Sequence, residues 1–284
     1  MAQLPQIYDI YKEFYIIFAT VCTNHKMLNY KTYVNENTDR WLIMIHGAGG
    51  SIEVWYRQVS DFAPHFNLLL VDLAGHGGSA DEVFAEGFNF THAAEQVMEV
   101  VHYLNIKKGH FMGLSLGSIV VRTIAKHYPK LVSSMILAGA VTRLSFKVQL
   151  MIQLATKFKR FIPYRTIKRV IARFIIPQEK YARSKNLFLN SAKKVPFDSF
   201  LSWLKVGDGV NSCITALFNE YITIPTLYLM GEDDKLFLPL VEQTIRNSHN
   251  NASLVIVPNA GHVCNVDNRR FFNEQSLEFM CSLN

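Results

Sequence analysis

The sequence predicts an α/β protein whose mostly parallel central sheet is flanked by helices and interrupted by a basic helical insertion. Three observations carry that prediction. Short, uniformly apolar runs alternate with segments of helical period, as buried parallel strands and their covering helices require. Residues able to do chemistry, among them His46, Asp72, Ser115, Asp234 and His262, fall just beyond those runs, at the carboxyl ends where ligands of such sheets bind. The positive charge is concentrated in one window that separates two of the strands.

The 284 residues are 49% hydrophobic and 18% charged, enough for one large core with an inserted module, and they exclude a disordered chain. At the N-terminal end, Tyr15–Thr23 and Met27–Val34 read as an antiparallel hairpin at the sheet edge. Asp9 and Glu13 precede the apolar run Tyr15–Cys22 where a secretory signal would carry basic residues, so the expected address is cytoplasmic. No apolar run reaches the roughly 18 residues of a membrane-spanning helix. Arg40–Ile45 is a buried strand feeding the loop His46-Gly47-Ala48-Gly49-Gly50, and Phe66–Asp72 repeats the arrangement, ending at Gly75-His76-Gly77-Gly78-Ser79. Thr91–Leu104 has helical period, with Ala94, Val97, Met98, Val101 and Leu104 on one face. Further strands are expected at Ser133–Ala138, Ile224–Met230 and Ser253–Val257.

His110-Phe111-Met112 leads into Gly113-Leu114-Ser115-Leu116-Gly117, and Ile119–His127 reads as a helix ending before Pro129. A G-x-S-x-G between a strand and a helix lifts its serine above the sheet in a strained turn, with the N–H of Leu116 aimed at a developing oxyanion. Ser115 is therefore the candidate nucleophile. Its base is expected to be His262, in the loop after the last strand. The orienting carboxylate is Asp234, favoured by its distance from Gly231, with Asp233 a rival and Glu232 a weaker one. The bland reading wins for His46 and His76, which suit loop packing better than catalysis. Trp55 and Phe90, with Gly47, are candidates to line the substrate pocket, and Cys264 is expected to be an apolar pocket-wall thiol.

The four cysteines, Cys22, Cys213, Cys264 and Cys281, have no metal-ligand spacing and read as free, mostly buried thiols. No HExxH, G-x-G-x-x-G or P-loop pattern occurs. Neither a metal nor any other cofactor is expected.

Residues 147–205 hold fourteen Lys/Arg against Glu179 and Asp198, a surplus of twelve positive charges that leaves the rest of the chain net negative by six. Within the window, Val148, Ile152, Ala155 and Phe158 recur at helical spacing, as do Ile167, Val170, Ile171 and Phe174, with basic residues between. A third helix is expected over Pro196–Lys205 with Phe197, Phe200, Leu201 and Leu204 inward. The charge is read first as a solvated face, second as attraction to an anionic membrane, third as attraction to acidic substrates. Nucleic acid fits least, since the aromatics lie mainly on the apolar face.

Taken together, His46-Gly47-x-Gly49-Gly50 with Trp55 downstream, Asp72-x-x-Gly75-x-Gly77-x-Ser79, Gly113-x-Ser115-x-Gly117, Gly231-x-x-Asp234 and Gly261-His262 resemble the motifs of capped α/β-hydrolases, the broad superfamily of esterases and carbon–carbon-bond hydrolases. The resemblance implies an α/β-hydrolase core over residues 1–142 and 213–284, with 143–212 as a cap over the serine. It also implies that the N–H of Ala48 joins that of Leu116 in an oxyanion hole. Ser118 departs from the pattern, standing where many members carry glycine. The expected activity is cofactor-independent hydrolysis of small-molecule carboxylic esters with small to medium apolar acyl groups. Thioester, lactone and carbon–carbon substrates, acyl transfer, and a non-catalytic or slow small-molecule receptor built on the same pocket are its rivals.

Overall fold

The computed structural model describes residues 26–82, 88–158, 161–191, 195, 199, 202–203, 210–248 and 251–283. Its sheet is built from β1 (Tyr30–Tyr33), β2 (Trp41–Ile45), β3 (Asn67–Val71), β4 (Gly109–Leu114), β5 (Val132–Ala138), β6 (Thr226–Gly231) and β7 (Ala252–Val257). The spatial order is β1-β3-β2-β4-β5-β6-β7. β1 runs antiparallel to β3, and every other neighbouring pair is parallel. The edge expectation thus holds for Tyr30–Tyr33, which pairs with β3, while Tyr15–Thr23 lies outside the described residues.

The apolar runs follow from burial on two faces. Successive side chains of a strand point to opposite sides, so Ile43, Ile45, Leu69, Val71 and Phe111 feed one core while Leu42, Met44, Leu68, Leu70 and Met112 feed the other. The first core is closed by α2 (Phe90–Tyr103) and α3 (Leu116–His127), the second by α1 (Tyr56–Phe62) and the C-terminal helix Arg269–Cys281. Asn89 starts α2 by accepting the N–H groups of Thr91 and His92 with its side chain, while His92 Nδ1 accepts the N–H of Asn89.

Between β5 and β6 stand α4 (Phe146–Lys157), α5 (Tyr164–Ile175), α6 (Ala182–Ser191) and α7 (Val210–Asn219). Four details differ from the sequence reading. The buried face of α5 is rotated: Ile167, Lys168, Ile171 and Ala172 are buried, whereas Val170 is exposed. Lys168 therefore leaves the expected solvent side, and burial lowers its pKa to about 8. Phe158, expected inward, is exposed: it follows the last turn of α4, and no element among the described residues covers it there. The helix α6 went unforeseen, its sequence being mostly polar. The helix α7 spans the expected boundary at 212, with Ile214 and Phe218 buried in the main core. Of the third expected helix only a few residues are described; Trp203 is helical and fully buried, while Phe197, Phe200, Leu201 and Leu204 lie outside the described residues.

Candidate active site

Ser115 joins β4 to α3 with φ 53° and ψ −116°, a left-handed conformation that costs an L-residue about 1–3 kcal/mol. The flanking glycines make the turn possible. A Cβ on Gly117 would stand 2.3 Å from the carbonyl oxygen of Ile45, and one on Gly113 2.3 Å from that of Gly117. Surrounding bonds fix the conformation: Ser115 N–H donates to Ala138 O at 2.9 Å, and the Ser118 hydroxyl donates to Ser115 O at 2.6 Å. Ser118 also accepts the N–H of Val141 at 3.1 Å. The departure from glycine at 118 is thus used to brace the strained turn.

Two loops from the far half of the sheet reach the serine. His262 Nε2 lies 2.9 Å from Ser115 Oγ, and its Nδ1 lies 2.7 Å from Asp234 Oδ2. Asp234 is buried, and its Oδ1 accepts the N–H of Phe237, whose ring sits 4.8 Å from the imidazole. A carboxylate so placed keeps the proton on Nδ1 and leaves Nε2 free to accept from the hydroxyl. The rival acids are engaged elsewhere. Asp233 Oδ2 accepts Tyr181 Oη–H at 2.7 Å and pairs with Lys180 Nζ at 2.7 Å, which holds its carboxyl below the usual range, while Tyr181, through burial and that carboxylate, is pushed up to about 12. Glu232 accepts the N–H of Asn259 from an exposed position.

A further acid, Asp267, escaped the sequence reading. It accepts the N–H of Gly261, next to His262, at 2.9 Å, and also the hydroxyl of Ser184 on α6; burial raises its pKa. Asp233 and Asp267 thereby tie the insertion to the loops that carry Asp234 and His262.

On the other side of the serine, Ala48 and Leu116 both line the cavity beside Ser115. Leu116, as the first residue of α3, has no acceptor one turn back for its N–H. The glycine loop is shaped by two buried neutral histidines. His46 Nδ1–H donates to Gly47 O while Nε2 accepts from Leu73 N–H, and His76 Nε2 accepts Gly49 N–H at 2.8 Å. Burial lowers His46 to about 4 and His76 to about 3. Asp72 accepts the N–H groups of Ile52 and Gly78 and the amide of Asn29. All three work as braces of the loops.

A cavity of about 140 Å³ opens above Ser115. Gly47 and Phe90 line it as expected, and α4 and α5 supply Val148, Met151, Ile152, Ile171 and Ile175. Its polar side chains beyond Ser115 and His262 are Ser184, Ser191 and the indole of Trp203, and no charged side chain lines it among the described residues. Two expectations are corrected. Trp55 is fully buried in the core beneath α1, so its neighbour Val54 reaches the cavity instead. Cys264 likewise sits in that core with Sγ toward Leu229 O, and burial raises its pKa; the wall position belongs to Val263. Cys213 and Cys281 are exposed, contrary to the expectation of mostly buried thiols, because they fall on outer faces of α7 and the C-terminal helix; Cys22 is outside the described residues. Trp203, a wall residue missed from the sequence, donates its Nε1–H to Ala74 O at 2.8 Å, in the loop after β3. Its signal was a lone indole in an otherwise aliphatic-aromatic pattern.

Among the described residues no three His, Cys, Asp or Glu side chains gather as a metal site. The family model for the alpha/beta hydrolase fold matches residues 40–174. The (E)-2-((N-methylformamido)methylene)succinate hydrolase of Acinetobacter baylyi is 25% identical over 240 residues, covering 82% of this chain and 88% of that protein. The pimeloyl-[acyl-carrier protein] methyl ester esterase of Pectobacterium atrosepticum is 26% identical over 261 residues, covering 86% and 94%. Among solved structures, a hydrolase from Oleispira antarctica superposes with a TM-score of 0.78 at 17% identity, over 89% of this chain and 94% of that one. With its sheet order, its strained serine turn and these similarities, the chain has the alpha/beta hydrolase fold.

Proposed function

We propose that this protein is a serine hydrolase that cleaves carboxylic esters of small to medium apolar acyl groups through an acyl-enzyme. The observation that carries the reading is the unbroken relay from Asp234 through His262 to the Ser115 hydroxyl at the floor of an apolar cavity. Ser115 Oγ attacks the ester carbonyl as its proton passes to His262 Nε2, and Asp234 stabilises the imidazolium. The N–H groups of Ala48 and Leu116 receive the oxyanion. The imidazolium then protonates the departing alcohol, and the same relay activates water to release the acid.

Among the described residues the wall carries no charged side chain, which supports an uncharged acyl group, since a carboxylate held against it would lose its hydration without a partner. In this reading residues 143–212 form the cap that builds the acyl pocket and excludes water. The relatives' names cover different scissile bonds, so the ester assignment rests on the pocket and on its likeness to an esterase.

Labelling with a fluorophosphonate probe, competed by p-nitrophenyl esters of graded chain length, tests it. The wild type is expected to label on the peptide that contains Ser115, and Ser115→Ala to abolish labelling with the fold intact. Labelling retained in that variant, or found on Ser79 or Ser118, overturns the nucleophile. Turnover indifferent to acyl length overturns the pocket.

A further inference from the structure

Helix α4, whose inner face helps build the cavity, carries a second apolar face turned outward. Thirteen large apolar side chains are exposed among the described residues, and seven of them fall between Phe146 and Val170. Single exposed apolar residues are ordinary, but a contiguous group is not. Phe146, Leu150, Leu154 and Phe158 follow one another at four-residue spacing and so form one row along α4. Val148, Met151 and Ile152, on the opposite side of the same helix, line the cavity. Phe161 and Ile162 extend the exposed row toward α5, and Phe146 and Phe161 are 77% and 81% exposed. Helix α4 thus has two apolar faces, of which the protein's own core uses one.

The charge around this row has a single sign. Residues 143–178 contain nine Lys/Arg and no Asp or Glu. Lys147, Lys157, Arg165, Arg169 and Arg173 are exposed. Cations beside an exposed apolar row match a surface that offers anionic groups above hydrocarbon, the setting in which interfacial helices bury one face among headgroups. A second copy of this chain would bring the same positive charge against it, which disfavours self-association through this face. No helix among the described residues is long and apolar enough to cross a membrane, so the contact is peripheral.

We propose that the outer face of α4, with the basic residues of α4 and α5, docks on an anionic lipid surface. The claim concerns an interface and stands apart from the ester reading, because vesicle binding is read without turnover. The experiment is flotation of the full chain with phosphatidylcholine vesicles and with two-to-one phosphatidylcholine–phosphatidylglycerol vesicles, at low and high salt. The wild type is expected to float with the anionic vesicles and to be released by salt. Leu150→Glu with Leu154→Glu is expected to reduce the partition coefficient at least about tenfold, with fluorophosphonate labelling in vesicle-free buffer unchanged. Arg169→Glu with Arg173→Glu tests the charge independently and is expected to weaken binding in the same direction. Failure of the wild type to bind anionic vesicles, equal binding to neutral ones, or undiminished binding by both double variants overturns the proposal. So does sedimentation showing a wild-type dimer that the Leu150/Leu154 variant dissociates.

Discussion

Two adjacent carboxylates, Asp233 and Asp234, have opposite surroundings, and exchanging each for asparagine separates catalysis from anchoring. Asp234 is buried and contacts His262 Nδ1 at 2.7 Å. In Asp234→Asn the side chain can present an amide N–H to that nitrogen, favouring the tautomer with the proton on Nε2, which cannot then accept from Ser115. The expected loss in kcat is about 10⁴-fold, or roughly 5 kcal/mol on the barrier. Asp233 contacts Tyr181 and Lys180 from a partly exposed position, and an asparagine there still accepts the tyrosine hydroxyl. Its lost ion pair is with an exposed lysine, so the expected change is less than about fivefold, appearing in KM through the seating of the insertion. Steady-state kinetics on p-nitrophenyl butyrate, with thermal melts by circular dichroism to verify folding, read both. A loss in Asp233→Asn equal to or greater than that in Asp234→Asn would refute the assignment and exchange the two roles.

Acid should unfold the protein through its buried neutral histidines: His46 and His110 are held down to about 4 and His76 to about 3, mainly by burial. Their stabilising contribution is complete above the unfolded pKa near 6.5 and is lost as pH falls toward 4, roughly 3 kcal/mol for His46 alone, so urea midpoints should drop steadily across that window; a flat profile contradicts the burial argument. Acyl preference should follow the wall: kcat/KM is expected to rise by up to about fourfold per added methylene until the cavity fills, and Ile152→Trp should move the optimum to shorter chains in a p-nitrophenyl ester series. Turnover should be indifferent to EDTA, because in the proposed mechanism the relay from Asp234 through His262 to Ser115 moves every proton; loss of activity restored by a divalent metal would contradict this.

The parts of this molecule legible in its sequence are those where one local rule acts alone. Strands β2 to β6 are buried on both faces and read as apolar runs, and the elbow declares itself because Gly113 and Gly117 sit where no side chain fits. Ser115, Asp234 and His262 were named from position at strand ends, and the structure brings them within hydrogen-bond reach. The insertion was less legible. Periodicity marks α4 and α5 as amphipathic but gives the angle of the buried face only to within a residue, which is why Val170 and Lys168 exchanged sides. Row and counter-row on α4 are both apolar, so Phe158 could not be assigned outward from pattern alone. Trp55 was misread for a similar reason: aromatic character says buried without saying in which core. Asp267 and Trp203 act through contacts distant in sequence, Asp267 with Ser184 and Trp203 with Ala74, and no local pattern reports those.

Among the described residues, polar contacts join the insertion to the core from Trp203 to the loop after β3, from Tyr181 to the loop after β6, from Ser184 to Asp267 beyond β7, and at its start from Arg143 to Gln243. Ser184 and Trp203 also line the cavity, together with Leu187, Phe188 and Ser191 of α6, so this stretch both seats the insertion and shapes the wall that α4 and α5 complete. Seating and wall are therefore written partly in the same side chains. Residues 146–175 carry none of those joins, so a substitution there can reshape the wall and leave them in place, whereas one at Ser184 or Trp203 alters wall and seating at once.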